Sequence, residues 1–452
     1  MSPFGFIRIV VCVFSLISAS YAFKKSHRVS CTHKKLCNGN LMCALVCEKG
    51  TVDVDEWTSN ALQYQRGLQF NEELIYSQLP STHNSAINEA DGFGIEKYFI
   101  SALQGGSDLD EGDDIGEGVC QYLSMTDQLR IGIRHLEIDI WWGPVNREIE
   151  VCHSPVPLYP VGNISRTASA AGLDLEWQPL NMSCVGTKRT FEEVLREVKQ
   201  WLVLPENSQE VVVLFLDTKF RLTPEQVTQG NEVIRKVFGS LLWAYTDGSP
   251  LTHTVREMVT RNKRVVIENN KDSWLSPAVG QPLVFYPTLW THQFGASSFQ
   301  EFPSCVVEGD SSWFGSQWVR ALDGSFLEAA SRCGVQLASS DYVNPDDMQL
   351  LVWSWQQGQP KGDGGDCVAM GPAGRWLLLD CEEQLPYACL TAGNSSKPQW
   401  AVDLSVVGGW GSSRCGSGSE FAAPSNGYSN ALLLNAGFAQ KLWLNAVNPL
   451  AI

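Results

Sequence analysis

Apolar, strand-length runs that alternate with amphipathic segments, and that end in polar residues, limit what this chain can fold into. The clearest run is Gly132-Ile-Arg-His-Leu-Glu-Ile-Asp-Ile-Trp-Trp-Gly143. Its β-branched Ile133, Ile138 and Ile140 and its bounding glycines predict a buried strand. Glu137 and Asp139 sit two apart, so they share one face. Two acids on one face of a mostly apolar strand are costly to bury unless a cation answers them.

Similar runs recur along the chain. Glu73 to Leu79 predicts a first strand, running into Pro80-Ser81-Thr82-His83-Asn84. Ile149 to His153, Glu210 to Asp217, Arg264 to Glu268, Leu283 to Pro287 and Val335 to Tyr342 read as further strands. Cys305 to Val307 is a weakly marked eighth. Helices are predicted over Tyr122 to Arg130, Thr190 to Leu202, Pro224 to Phe238 and Ser312 to Arg332. Thr190 with Glu193 three residues on has the pattern of a capping box. Strand–helix alternation with apolar strands predicts an α/β fold with a parallel sheet covered by helices. The segment 57–347 has the length of an eight-stranded (β/α)8 TIM-type barrel. His83, Asn84, Glu137, Asp139, His153, Asp217 and Asp341 all fall near the carboxyl ends of strands, where such a barrel builds its site. No glycine-rich phosphate fingerprint follows the first strand, which counts against a nucleotide-binding doubly wound fold.

Both ends of the chain have their own character. Residues 1–22 have the layout of a secretory signal: Arg8, an apolar run over Ile9 to Ile17, and Ser20-Tyr21-Ala22. An N-terminal anchor is the alternative, but the run is short for a span. No later segment has the length and apolarity of a transmembrane helix. Of the 14 cysteines, Cys12 falls in the signal, so the rest form pairs with one left over. Asn163, Asn181 and Asn394 begin glycosylation sequons. Together these predict a secreted glycoprotein. Residues 23–56 are a Cys-rich extension. Cys31, Cys37, Cys43 and Cys47 suit two small disulfide loops better than a structural zinc site. The acidic stretch 104–118 reads as a solvated loop whose spacing fits no EF-hand. Residues 348–452, rich in Trp, Gly and Ser, predict a small β-rich, disulfide-bonded module. The net charge of −16 argues against nucleic acid as a partner and against non-specific adhesion to anionic membranes.

The candidate residues make a chemical set. His83 and His153 can serve as an acid–base pair for phosphoryl transfer. Asn84, Glu137, Asp139 and Asp217 offer hard oxygen ligands, suited to calcium or magnesium rather than zinc. His135 reads as a packing residue. Lys219 is a weak candidate for holding additional ring phosphates.

Leu79-Pro-Ser-Thr-His83-Asn84-Ser85, then Gln128 to Asp139, then Cys152-His153, resembles the X region of phosphatidylinositol-specific phospholipase C over most of 70–345. The resemblance implies a barrel that cleaves an inositol phospholipid, or a glycosylated inositol lipid, through attack by a neighbouring hydroxyl. It implies Ca2+ held by Asn84, Glu137, Asp139 and Asp217, because metal-free members usually carry Asp after the histidine and Arg at the position of Asp139. His153 would protonate the leaving alcohol. His83 would take the proton of the attacking hydroxyl, a role that Glu137 or Asp217 can share, or stabilise the phosphoryl oxygens. Asp341 would orient His83. Asp217 departs from the calcium-dependent pattern, which usually has glutamate there.

Trp353 to Lys361, Asp366-Cys367, Gly374-Arg-Trp376, Cys381 and Leu385 to Cys389 resemble the last third of a C-type lectin-like domain. Gln359 and Lys361 flank Pro360 where sugar-binding lectins have Glu and Asn, which argues against calcium-mediated glycan binding and for a structural cap. The expected disulfides are Cys152–Cys184, Cys305–Cys333, Cys367–Cys381 and Cys389–Cys415. The leading expectation is a secreted phosphoric diester hydrolase. The alternative is a catalytically inactive extracellular protein that binds glycan or cell wall on a barrel scaffold.

Overall fold

The computed structural model describes residues 29–38, 42–93, 119–143, 147–152, 189–218, 221–275, 282–290, 292–295, 299–307, 317–321, 324–361, 365–392 and 398–449. The signal, the 104–118 loop, His153, Cys184, Lys219 and the three sequon asparagines lie outside these residues.

The chain opens with an antiparallel hairpin, β1 (His33–Asn38) and β2 (Met42–Cys47). Disulfides Cys31–Cys47 and Cys37–Cys43 staple it, so these four cysteines are two small loops and not a metal site. Helix α1 (Glu56–Leu68) follows, with the Asp55 side chain accepting the Thr58 N–H as its cap.

The main sheet is built from β3 (Leu79–Thr82), β4 (His135–Gly143), β5 (Glu148–Val151), β6 (Arg189–Thr190), β7 (Val212–Thr218), β8 (Leu242–Trp243), β9 (Val265–Asn269), β10 (His292–Gly295), β13 (Gln317–Ala321) and β14 (Leu337–Ser340). Short β11 (Phe299–Gln300) and β12 (Val306–Val307) pair only with each other. Around the sheet lie α2 (Met125–Ile131), α3 (Phe191–Leu202), α4 (Pro224–Phe238), α5 (Val255–Thr260), α6 (Leu327–Arg332) and α7 (Pro345–Leu350). The strand order is β10-β13-β14-β3-β4-β7-β9-β8, with every neighbouring pair parallel.

Five expectations are corrected here. Among the described residues no pairing joins β10 to β8, so the closed eight-stranded barrel is not observed; the fold is mixed α/β. Residues 149–151 do not begin a new parallel strand, because β5 turns back antiparallel onto β4. Val306 and Val307 stay outside the main sheet. Within the predicted helix 312–332, residues 317–321 form β13, seated between β10 and β14, and among the described residues a 3-10 turn over Gly324–Phe326 leads into α6. Pairing on both sides outweighs a helix propensity that is only a weak prior. The first strand also begins later than predicted, at Leu79, after a single 3-10 turn over Leu74–Tyr76. The Thr190–Glu193 capping box forms as expected.

Alternation along the strands sorts side chains into two cores. Leu136, Ile138, Ile140, Leu214, Leu216 and Ile267 pack with Leu129 of α2, Val194 and Val198 of α3 and Ile234 of α4. On the other face Leu79, Val213, Phe215, Val266 and Leu337 pack with Trp243 and Trp290. Each such side chain, fully buried, contributes about 1.5–3 kcal/mol. His135, Glu137 and Asp139 fall on this second, inner face, since they alternate with Leu136 and Ile138.

The C-terminal region forms two small antiparallel sheets. One is β15 (Cys367–Met370) between β16 (Trp376–Leu379) and β20 (Leu442–Trp443). The other is β17 (Cys389–Ala392) between β18 (Gln399–Ala401) and β19 (Glu420–Phe421). Helix α8 (Gly427–Ala436), which the Gly- and Ser-rich composition hid, crosses between them in sequence. Cys305–Cys333, Cys367–Cys381 and Cys389–Cys415 form as expected, and Cys152 is also disulfide-bonded. This region shares a core with the rest of the protein. Tyr64 of α1 packs edge-on against Trp355 and Trp376, and Gln65 Oε1 accepts from the N–H groups of Trp353 (2.8 Å) and Ser354 (3.1 Å). Among the described residues no helix is long and apolar enough to cross a membrane.

At the amino ends of the strands, Glu210 accepts from Arg66 NH2 (3.0 Å) and Arg134 Nε (2.8 Å), and Arg134 lies over Trp201. Burial pushes the Glu210 carboxyl up, but Arg134 and Arg66 outweigh it and hold it well below the usual carboxylate range. Glu210→Gln should therefore lower unfolding stability by about 3–5 kcal/mol, as for a buried pair that loses one partner. A carboxyl depressed in the folded state stabilises above its unfolded pKa and loses that contribution as pH falls. Urea denaturation should show the gap between parent and variant at neutral pH, narrowing on acidification.

Candidate active site

The carboxyl ends of β3, β4, β7 and β14 bring the candidate residues together. Along β4, period-two geometry turns Glu137 and Asp139 inward, both fully buried. In the parallel register of β4 and β7, Asp139 stands beside Asp217 and Glu137 beside Phe215. One carboxylate oxygen from each of Glu137, Asp139 and Asp217 lies within 4.8 Å of the other two. Asp217 is half-buried, and its Oδ1 accepts from Asn270 Nδ2 at 2.5 Å. Asn270 is anchored in turn by the Thr218 N–H, which donates to its Oδ1 at 3.1 Å. Asp217, although shorter than glutamate, thus reaches the cluster, and Asn270 holds it there.

Beside this trio the chain leaves β3 through His83 and Asn84. Asn84 sits at φ 46°, the left-handed region that asparagine tolerates better than most residues. The turn is fastened to both neighbouring strands: the His83 N–H donates to Ser340 O (3.3 Å) and the Ser85 N–H to Glu137 O (2.7 Å). His83 Nδ1 is 2.6 Å from Asp341 Oδ1, the residue that follows β14. Donation from Nδ1 to the carboxylate leaves Nε2 as an acceptor, the form a base needs. Gln121 ties the two strand ends together, donating from Nε2 to His83 O (2.8 Å) and Ser340 O (3.0 Å).

Asn84 links the two groups. Its Nδ2 donates to Cys120 Sγ at 3.1 Å, while its Oδ1 is buried with no hydrogen-bond partner among the described residues. Asn84 stands one residue before Ser85, whose N–H bonds Glu137 O on β4, and a buried amide oxygen together with a carboxylate cluster is the donor chemistry of a hard cation. Calcium takes 6–8 oxygens at 2.3–2.6 Å, so oxygens sharing one ion lie up to about 5 Å apart. Asn84, Glu137, Asp139 and Asp217 are the residues able to hold it.

The structure gathers Glu137, Asp139 and Asp217 in one group and His83 and Asp341 in another, with Asn84 bonded to Cys120 beside the second; the seventh predicted residue, His153, falls outside the described residues. Sequence reading missed Cys120, Gln121 and Asn270. Cys120 left one signal, an odd number of cysteines in a chain otherwise built for pairing. His135 is fully buried as expected, yet it is more than packing. Its Nδ1 is 2.7 Å from Ser81 Oγ and its Nε2 is 3.3 Å from Glu268 Oε1, beneath the carboxylates on the same inner face. All three residues are sealed from solvent, so this trio braces the floor of the site and does not meet substrate.

No family model matches the chain. Two uncharacterized proteins of Mycobacterium tuberculosis, from strains H37Rv and CDC 1551, are each 23% identical over 441 residues, spanning 88% of this chain and 81% of theirs. Among solved structures, the phosphatidylinositol-specific phospholipase C from Listeria monocytogenes is similar at 12% identity and a TM-score of 0.39. That alignment covers 65% of this chain and 97% of that one. A calcium-dependent phosphoinositol-specific phospholipase C from Pseudomonas sp aligns at 14% identity and a TM-score of 0.30, over 66% of this chain and 95% of its own.

Neighbouring carboxylates disfavour one another's charged form, and a bound cation favours it. Calcium should therefore raise the melting temperature of the parent chain relative to chelator. Glu137→Gln should lose that rise and melt higher than the parent in chelator. Differential scanning calorimetry in both conditions checks each statement.

Proposed function

We propose that this chain is a secreted, calcium-dependent phosphoric diester hydrolase of the phospholipase C type. Its substrate is an inositol phospholipid or a glycosylated inositol lipid. The observation that carries the reading is the convergence, at adjacent strand ends, of the Glu137–Asp139–Asp217 cluster with the His83–Asp341 pair. Asp139 is the most informative of these residues, since an arginine in its place would have supplied the positive charge from the chain itself. The five disulfides among the described residues support an oxidising, extracellular compartment.

In this reading Asp341 holds the His83 ring in one tautomer and turns its second nitrogen to the reacting groups. His83 takes the proton from the inositol hydroxyl next to the phosphodiester. That hydroxyl oxygen attacks phosphorus, the bond to the lipid oxygen breaks, and His153 returns a proton to the leaving alcohol. The products are a cyclic inositol phosphate and a diacylglycerol or its equivalent. Asn84, Glu137, Asp139 and Asp217 would hold calcium, which when bound would supply charge neutralisation at the phosphodiester and favour ionisation of the attacking hydroxyl. Residues 57–347 form the catalytic segment in this reading and residues 348–452 a cap. Gln359 supports the cap role: its Oε1 accepts from the N–H groups of Lys361 (3.2 Å) and Leu378 (3.4 Å), so it serves the module's own backbone.

Release of water-soluble inositol phosphate from phosphatidylinositol vesicles tests the reading. Release should require calcium and stop in chelator. His83→Ala should reduce it by about 10²–10⁴-fold, the range for a lost general base, and Asp341→Asn by a smaller factor. Undiminished release by His83→Ala would sink the mechanism.

A further inference from the structure

Cys120 stands where the two halves of the site meet. Its Sγ accepts from Asn84 Nδ2 at 3.1 Å and lies within 4.8 Å of a His83 ring nitrogen and an Asp341 carboxylate oxygen. It is 6% exposed and remains a thiol, although the other described cysteines are disulfide-bonded. Its backbone is fixed on both sides: its N–H donates to Ile87 O (3.1 Å), and its carbonyl accepts from the Tyr342 N–H (2.8 Å). The sulfur therefore has little freedom to move away from the Asn84 amide.

A primary amide has two ends of opposite polarity, and a cation accepts only one of them. With its NH2 end unheld, the Asn84 amide can turn over and present hydrogens to the carboxylate cluster, which attracts them in the absence of metal. A thiol sulfur accepts a hydrogen bond but gives little back as a donor. Placed at one end of the amide, it selects the orientation with nitrogen toward sulfur and oxygen away from it. That is the orientation observed, with Oδ1 buried and without a hydrogen-bond partner among the described residues. We infer that Cys120 is a positioning residue of the cation site, holding the Asn84 amide with its oxygen directed to the ion. The inference rests on the calcium reading above, but not on the identity of the lipid or on catalysis. Burial suits the role, because an exposed thiol in an oxidising compartment is open to capture by another cysteine.

The test is calcium binding by isothermal titration calorimetry on the full chain, with no substrate present. Cys120→Val is slightly larger, apolar, and removes the acceptor. It should weaken calcium binding by about 10–100-fold, the usual cost of losing a partner that orients a ligand. Cys120→Ser keeps an acceptor and should bind within about threefold of the parent. Loss in Val with rescue in Ser is the expected result; a purely structural role would show instead as a lowered melting temperature with unchanged affinity in whatever stays folded. Should Cys120→Val fail to fold, Cys120→Ala, which cannot overpack the site, gives the same comparison. An unchanged dissociation constant in the folded Val or Ala variant overturns the inference while leaving the calcium site standing. A parent chain that binds no calcium overturns both. Absence of phosphodiesterase activity in a chain that binds calcium counts against the proposed reaction alone.

Discussion

The parallel register between β4 and β7 is the constraint on which the rest of the site depends. It sets Asp139 beside Asp217 and Glu137 beside Phe215. A slip of one residue would turn Glu137, Asp139 and His135 toward the helices and bring Ile138 and Ile140 inside. The two apolar cores make that slip costly, since the same alternation that turns the acids inward sends Leu136, Ile138, Ile140, Leu214 and Leu216 into the outer core. The packing of the helices thus enforces the placement of the charges.

The two ends of the sheet handle buried charge differently. At the amino ends, Glu210 is answered within the protein by Arg66 and Arg134, and the group needs nothing from outside. At the carboxyl ends three acids crowd together, with the nearby His83 already engaged by Asp341. One end pairs its acid with two arginines, whereas the other gathers three acids at adjacent strand ends, where the proposed cation would sit. This asymmetry is what a stable scaffold with a reactive rim requires, because charge repulsion at a site lowers stability there and has to be offset elsewhere.

Much of this was legible from the residues themselves. The β4 run, the strand-end acid of β7 and the late Ser340-Asp341 corner could be read from alternation and from the residue types at their ends. The α3 capping box was equally plain. What escaped was long-range. Residues 317–321 carry no local mark that separates strand from helix, and only the neighbours β10 and β14 make them a strand. Val306 and Val307 have strand propensity but no place in the main sheet. Cys120 lies beyond a long acidic stretch from His83, and nothing near it in sequence announces that it touches Asn84. Asn270 was hidden for the same reason, as its partner is 53 residues away.

The sequence alone nominated the residues of the candidate site, because strand periodicity and the cost of burying charge act locally and leave a local trace. Three of the disulfides it led one to expect, Cys305–Cys333, Cys367–Cys381 and Cys389–Cys415, form in the structure. The tertiary structure decided the order of the strands, the open path of the sheet among the described residues, and the contacts that orient each site side chain. Those outcomes depend on which distant segments meet, and meeting is settled by the packing of two cores against shared strands, not by any one stretch of chain.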